Sequence, residues 1–119
     1  LAEWVNKYLP DNACLLSFDE PHLFYFNRRV FLDLEFNLKT SYQSISDPAG
    51  IVRLLKDKGV THILSAAEIY DRDFPVNFKR VNRPIDKVLN DPLLSKRAAS
   101  IPSQNVLGRR CRYEIYVII

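Results

Sequence analysis

The chain has no methionine, three glycines, two cysteines and one tryptophan among its 119 residues. Each scarcity excludes something. Gly50, Gly59 and Gly108 fall in no G-x-G-x-x-G or Walker arrangement, so the usual phosphate-cradling loops are absent. No serine sits in a G-x-S-x-G elbow, and there is no Asn-x-Ser/Thr sequon. No apolar run approaches the ~20 residues that span a bilayer, and no basic segment leads into an apolar one at the start. Cys14 and Cys111 lack metal-ligand spacing. Each falls in an expected strand, where a thiol acts as a small apolar side chain. If the compartment is oxidising and the strands are close, a disulfide between them can form instead. No cofactor is expected. The missing methionine, with helical periodicity already running at Leu1, Trp4, Val5 and Tyr8, gives the expectation of a folded piece of a larger protein.

What is present is an ordinary globular balance. The chain is 47% hydrophobic and 26% charged, and its length suits one domain over residues 1–119. The net charge is +3, with basic residues dispersed in small clusters at Lys79-Arg80, Lys96-Arg97 and Arg109-Arg110-Arg112. A nucleic-acid binder shows a denser stripe and a motif, so no nucleic acid is expected. The clusters read as a solvated basic face, or as a contact for anionic lipid headgroups.

The pattern predicts a helix over residues 1–9, stopped at Pro10-Asp11-Asn12, and a buried strand over 13–18. A short helix is expected over 22–29, with Leu23 and Phe26 inward, then a strand over 30–36 whose Leu32, Leu34 and Phe36 alternate with Asp33 and Glu35. Residues 37–46 read as a loop. Asp47-Pro48 opens a helix with Ile51, Val52, Leu54 and Leu55 on its apolar face, closed by Gly59 as a left-handed cap. A β-branched strand over 60–66 follows. Residues 67–105 carry Pro75, Pro84, Pro92 and Pro102, which leave room only for short helices, one around Ile85, Val88 and Leu89 and another begun by Asp91-Pro92. A strand over 110–119 closes the chain, with Cys111, Tyr113, Ile115, Val117 and Ile119 on one face. This alternation implies an α/β fold: a three-layer α-β-α sandwich around a small, mostly parallel sheet, its last strand free to run antiparallel along the third.

Ligands of open α/β sheets bind beyond the carboxyl ends of the strands. The first strand ends at Asp19-Glu20-Pro21-His22 and the third at Ser65-Ala66-Ala67-Glu68. If these strands are neighbours, Asp19, Glu20, His22 and Glu68 converge on one crevice whose carboxylates and imidazole could bind a metal or do acid–base work. The plainer account is that Asp19 and Glu20 favour a helix N-terminus. His62 reads as a core histidine. The aromatic run Phe24-Tyr25-Phe26, with Tyr113 and Tyr116, reads as core packing before sugar stacking or membrane contact.

Several stretches together resemble a known family. They are Leu1-Ala2-Glu3-Trp4-Val5-Asn6-Lys7-Tyr8-Leu9-Pro10 leading into residues 11–16; Tyr25-Phe26-Asn27-Arg28-Arg29; Leu54-Leu55-Lys56-Asp57-Lys58-Gly59-Val60-Thr61-His62-Ile63-Leu64; and Arg112-Tyr113-Glu114-Ile115-Tyr116. Their order is similar to the C-terminal extramembrane domain of bacterial GT-C superfamily membrane glycosyltransferases, related to dolichyl-phosphate-mannose–protein mannosyltransferases and aminoarabinose transferases. The resemblance covers most of the chain outside residues 67–105. It implies a parent that moves a sugar from a polyprenyl-phosphate donor, with its catalytic acid in an early extracytoplasmic loop that has no counterpart here. No catalytic residue is therefore carried over. The domain would sit on the periplasmic or outer face against the transmembrane part, aiding acceptor binding or bracing the membrane portion. Two other functions stay open: a free-standing α/β module that binds a glycan or protein, and a small enzyme using the Asp19/Glu20/His22/Glu68 crevice. Apolar spans encoded upstream of Leu1 would favour the membrane protein over both.

Overall fold

The computed structural model describes residues 1–18, 26–70, 83–104 and 110–119. The elements run α1 (Ala2–Tyr8), β1 (Cys14–Phe18), β2 (Arg29–Leu32), α2 (Asp33–Thr40), a 3-10 turn (Tyr42–Ser44), α3 (Pro48–Asp57), β3 (His62–Tyr70), α4 (Pro84–Leu89), β4 (Ser95–Gln104) and β5 (Arg110–Ile118). The five strands form one sheet in the order β2-β1-β3-β5-β4. β1 pairs in parallel with β2 and β3, β5 runs antiparallel to β3, and β4 antiparallel to β5. The α/β class, and the antiparallel placement of the last strand on the third, are as the sequence predicts. The sheet is mixed: parallel at one end, antiparallel over the rest.

Burial explains this layering. All five residues of β1 are buried, as a central parallel strand covered on both faces requires. Cys14, Leu16 and Phe18 join Ile51, Leu55, Ile63, Ile85 and Val88 in one apolar cluster beneath α3 and α4. Leu15 joins Val5, Leu9, Leu64, Tyr113 and Ile115 in a second cluster beneath α1. The sheet thus lies between two helical layers. In β5, Tyr113 and Ile115 face the α1 layer while Ile118 joins the other cluster, so the strand is buried from both sides.

α1 is short and needs help at its end. The Arg28 guanidinium supplies it, donating to the carbonyls of Asn6 (3.0 Å), Leu9 (2.7 Å) and Pro10 (2.8 Å). Its side chain is only 7% exposed. A cation on the last carbonyls satisfies the orphaned acceptors and opposes the negative end of the helix dipole. The Asn27 N–H donates to Asn6 Oδ1 at 2.6 Å, pinning the same junction.

α3 forms as expected. Asp47 caps it by accepting from the Ala49 N–H, and Pro48 occupies the first turn. At its other end Gly59 has φ +84. The Gly59 N–H donates to Lys56 O (3.0 Å) and the Val60 N–H to Leu55 O (2.9 Å), the paired bonds of a Schellman cap.

The structure corrects three expectations. The strand placed over residues 30–36 ends at Leu32, and Asp33 starts α2. The Asp33 carboxylate accepts from the Tyr42 hydroxyl and from Gln43 Nε2, which folds the chain back on itself. Phe36 is the buried residue of α2, while Leu34 and Leu38 are exposed, so the alternation of 32, 34 and 36 reflects no sheet face. The helix expected over 22–29 falls partly outside the described residues; within them, residues 26–28 are irregular and Arg29 opens β2. The helix expected at Asp91-Pro92 is a turn held by the Leu93 N–H on Asp91 Oδ1 (2.9 Å), and it leads into β4, a strand within the stretch read as irregular. Pro102 stays in a strand because β4 is at the sheet edge, where a missing N–H costs little.

The condition for a disulfide, that the two cysteine strands be close, is not met. β3 separates β1 from β5 in the sheet. Cys14 lies beside Thr61, and Cys111 beside Ile69, eight positions further along β3. That is about 26 Å at the strand rise, against the ~7 Å limit between bridged Cα atoms. Burial also pushes the Cys14 thiol pKa up, with the nearby Arg29 charge opposing it.

Two outcomes follow. Alkylation of the unreduced, unfolded chain adds two groups; mass spectrometry finding none would refute the strand register. Gly59→Ala lowers stability by about 1 kcal/mol in urea unfolding, because a Cβ there meets no neighbouring atom and the cost is purely that of positive φ. A neutral substitution would count against the cap.

Candidate functional site

In the order β2-β1-β3, the connections out of β1 and β2 run in opposite directions across the sheet. The switch point lies between β1 and β3, where α/β sheets open a crevice at the carboxyl ends. There Phe18 stands opposite Ser65 in register.

Arg83 reaches this point from the start of α4. As the residue before Pro84 it takes an extended conformation, φ −82 and ψ 151. The Asp86 carboxylate accepts from its backbone N–H at 2.8 Å, and the Asp86 N–H donates to Arg83 O at 2.9 Å. The carboxylate thus satisfies an N–H at the start of the helix, as in a capping box. The Arg83 guanidinium lies 3.1 Å from Asp86 Oδ1, 3.4 Å from Ser65 Oγ, and 4.5 Å from the centre of the Phe18 ring. One cation is therefore paired, stacked and largely buried over the end of the central strand.

The Asp33–Tyr42–Gln43 network lies close by. Tyr42 is fully buried and its hydroxyl donates to Asp33. Burial, then the bond to Asp33, drives its pKa far above the ordinary tyrosine value; the Arg83 charge is near enough to oppose that shift. The hydroxyl therefore stays protonated and serves as a donor.

Of the residues predicted for the crevice, Asp19, Glu20 and His22 lie outside the described residues. Glu68 stands in β3 opposite Arg112, beyond a register shift at residues 66–68, with its side chain outside the described residues. The condition set for their convergence, that β1 and β3 be neighbours, holds. Arg83, Asp86 and Ser65 were not anticipated. The available signal was Arg83-Pro84-Ile85-Asp86, a Pro in the first turn with an acid three residues after the cap, which marks a helix start but not its destination.

His62 is the buried strand histidine that the sequence predicts. It sits at the amino end of β3, the opposite end from the crevice, with Nδ1 2.7 Å from Thr61 Oγ1. Burial lowers its pKa. Among the described residues no three His, Cys, Asp or Glu side chains group to hold a metal ion. No helix there is long and apolar enough to cross a membrane.

Two open hollows lie away from the crevice. One, of about 380 Å³, is bounded by β2, α2 and Lys58. The other, of about 480 Å³, lies between the end of α4, the start of β4 and Tyr116. The described part of the crevice holds a neutralised ion pair, with the Phe18 ring and the Tyr42 phenol buried behind it. These groups are engaged with one another and serve to fix the end of β1 against α4. Comparison with known proteins finds no family model and no curated protein that matches the chain.

The buried histidine predicts a pH dependence. Its folded pKa lies below the unfolded value, so the unfolded chain takes up a proton first and stability falls as pH drops through about 6.5. The urea midpoint should decline from about pH 7.5 to pH 5.5, and His62→Gln should flatten that decline. An unchanged slope in the variant would assign the effect to another group.

Proposed function

We propose that this chain is a non-catalytic extracytoplasmic domain of a bacterial membrane glycosyltransferase that uses a polyprenyl-phosphate sugar donor. On this reading its partner is the transmembrane part of the same protein, and it braces that part or helps present the acceptor glycan, protein or lipid. The observation that carries the reading is the stretch Leu54–Leu64, the longest that resembles the family. It spans the end of α3, the Gly59 cap and the start of β3, from which the centre of the sheet is built. The other resembling stretches contribute to α1 with β1, to the Arg28 clamp and to β5.

Among the described residues, the charged groups named above have structural roles. Arg83 and Asp86 neutralise each other, Asp33 is held by Tyr42 and Gln43, and Arg28 caps a helix. A second reading, a free-standing binding module, is favoured by the hollow beside β2.

The two readings part on one measurement. In the reading frame that encodes Leu1, several apolar spans of about 20 residues lie upstream if the first is right. A frame with none overturns it and leaves the binding module. In the parent, deletion of residues 1–119 is expected to reduce sugar transfer to the acceptor while leaving donor binding intact. Loss of donor binding on deletion would contradict the accessory role.

A further inference from the structure

The hollow beside β2 differs in chemistry from the crevice. Its apolar lining comes from Val30, Phe31, Leu32 and Phe36. Three cations, Arg29, Lys39 and Lys58, face one carboxylate, Glu35, around it. Arg29 lies over the Phe31 ring at 4.8 Å, which keeps its charge at the rim. Lys39 and Lys58 are exposed and enter no salt bridge among the described residues.

α2 adds a second feature. Leu34 and Leu38 are 72% and 77% exposed, one turn apart on the helix. They form a row beside Glu35 and Lys39, which line the hollow. Leu32, at the end of the edge strand, is exposed as well. Exposed leucines beside a hollow lined by three cations and several apolar side chains complement a ligand that is itself both anionic and apolar. A second copy of this chain fits poorly, because a twofold contact here would bring Arg29, Lys39 and Lys58 against their own like charges.

We infer that the β2–α2 face docks on an anionic lipid bilayer, with a phosphate headgroup held over the hollow by Arg29, Lys39 and Lys58 and with Leu34 and Leu38 dipping into the interface. The assignment is independent of the glycosyltransferase reading. It uses residues outside the Lys96-Arg97 pair and the Arg109–Arg112 cluster that composition singles out.

The test is co-sedimentation of the 119-residue chain with vesicles. Mixed phosphatidylcholine–phosphatidylglycerol vesicles should bind it, and phosphatidylcholine vesicles should not. Lys39→Gln with Lys58→Gln should weaken binding roughly thirtyfold, at the usual worth of two cations near a charged bilayer. Leu34→Gln with Leu38→Gln should weaken it at unchanged net charge. Lys96→Gln with Arg97→Gln, a control removing equal charge elsewhere, should change it far less. Circular dichroism of each variant checks that it is folded. Binding equal on both vesicle types, or lost equally in the control, would overturn the site. Saturation by a soluble short-chain phosphatidylglycerol or by inorganic phosphate as tightly as by vesicles would also overturn it, in favour of a free anion as ligand.

Discussion

The arrangement depends on how Thr61 joins three strands. Its N–H donates to Cys14 O at 2.9 Å, and its own carbonyl accepts from the Ile118 N–H at 3.0 Å. Its hydroxyl accepts from the Cys14 N–H at 2.9 Å and lies 3.2 Å from Cys14 O. β1, β3 and β5 are thus locked at one level of the sheet. A slip of one residue at this junction would turn each strand's faces over. Leu15 would exchange clusters with Leu16, and Leu64 with Ile63, and both cores would be lost together. The Gly59 cap sets the approach, since the Val60 N–H is still bonded to α3 when Thr61 enters the sheet. Helix end, turn and register are therefore one local device. That is why the short run from Leu54 to Leu64 has so much influence on the fold.

Legibility in the sequence followed the range of the controlling interactions. The α3–β3 unit was readable because its cap, first-turn Pro, apolar face and Gly59 stop are all local. β1 was readable because burial on both faces leaves a continuous apolar run. α2 was misread because its defining contact is the Asp33 carboxylate to Tyr42 and Gln43, nine and ten residues away. Its exposed leucines also happened to mimic a strand. β4 was missed because Ser95–Gln104 is polar, contains Pro102 and becomes a strand only by pairing with β5. The site divides the same way. Topology pointed to the ends of β1 and β3, but the side chain that occupies the described part, Arg83, lies far from Phe18 in sequence and is brought there by α4.

Charge in this domain has two uses that composition does not separate. Arg28 and Arg83 are largely buried and bound to carbonyls or a carboxylate. Removing either would leave part-buried partners such as Leu9 O and Asp86 without their donor, and a polar group left buried and unmet costs about 1–3 kcal/mol. Arg29, next to Arg28 in sequence, turns outward with Lys39 and Lys58 over the hollow. The adjacent arginines thus serve fold and surface respectively. A count of basic residues, or a search for clusters, cannot tell these roles apart, because burial sets them and burial is decided by strand direction.

The two edges of the sheet differ in a related way. β4 is long, and a long bare edge invites pairing with another chain. It carries Pro102, a register shift between Arg97 and Ala99, and the outward pair Lys96 and Arg97, all of which discourage such pairing. β2 is only four residues, with no proline and no register shift against β1. Its shortness limits strand addition, and α2 folds back beside it rather than leaving a flat edge. What remains at that side is a hollow lined by apolar side chains and by Arg29, Lys39 and Lys58. The antiparallel edge is thus built to repel partners by backbone geometry. The parallel edge blocks strand pairing by its shortness and by α2, and leaves its side chains free to recognise something other than a strand.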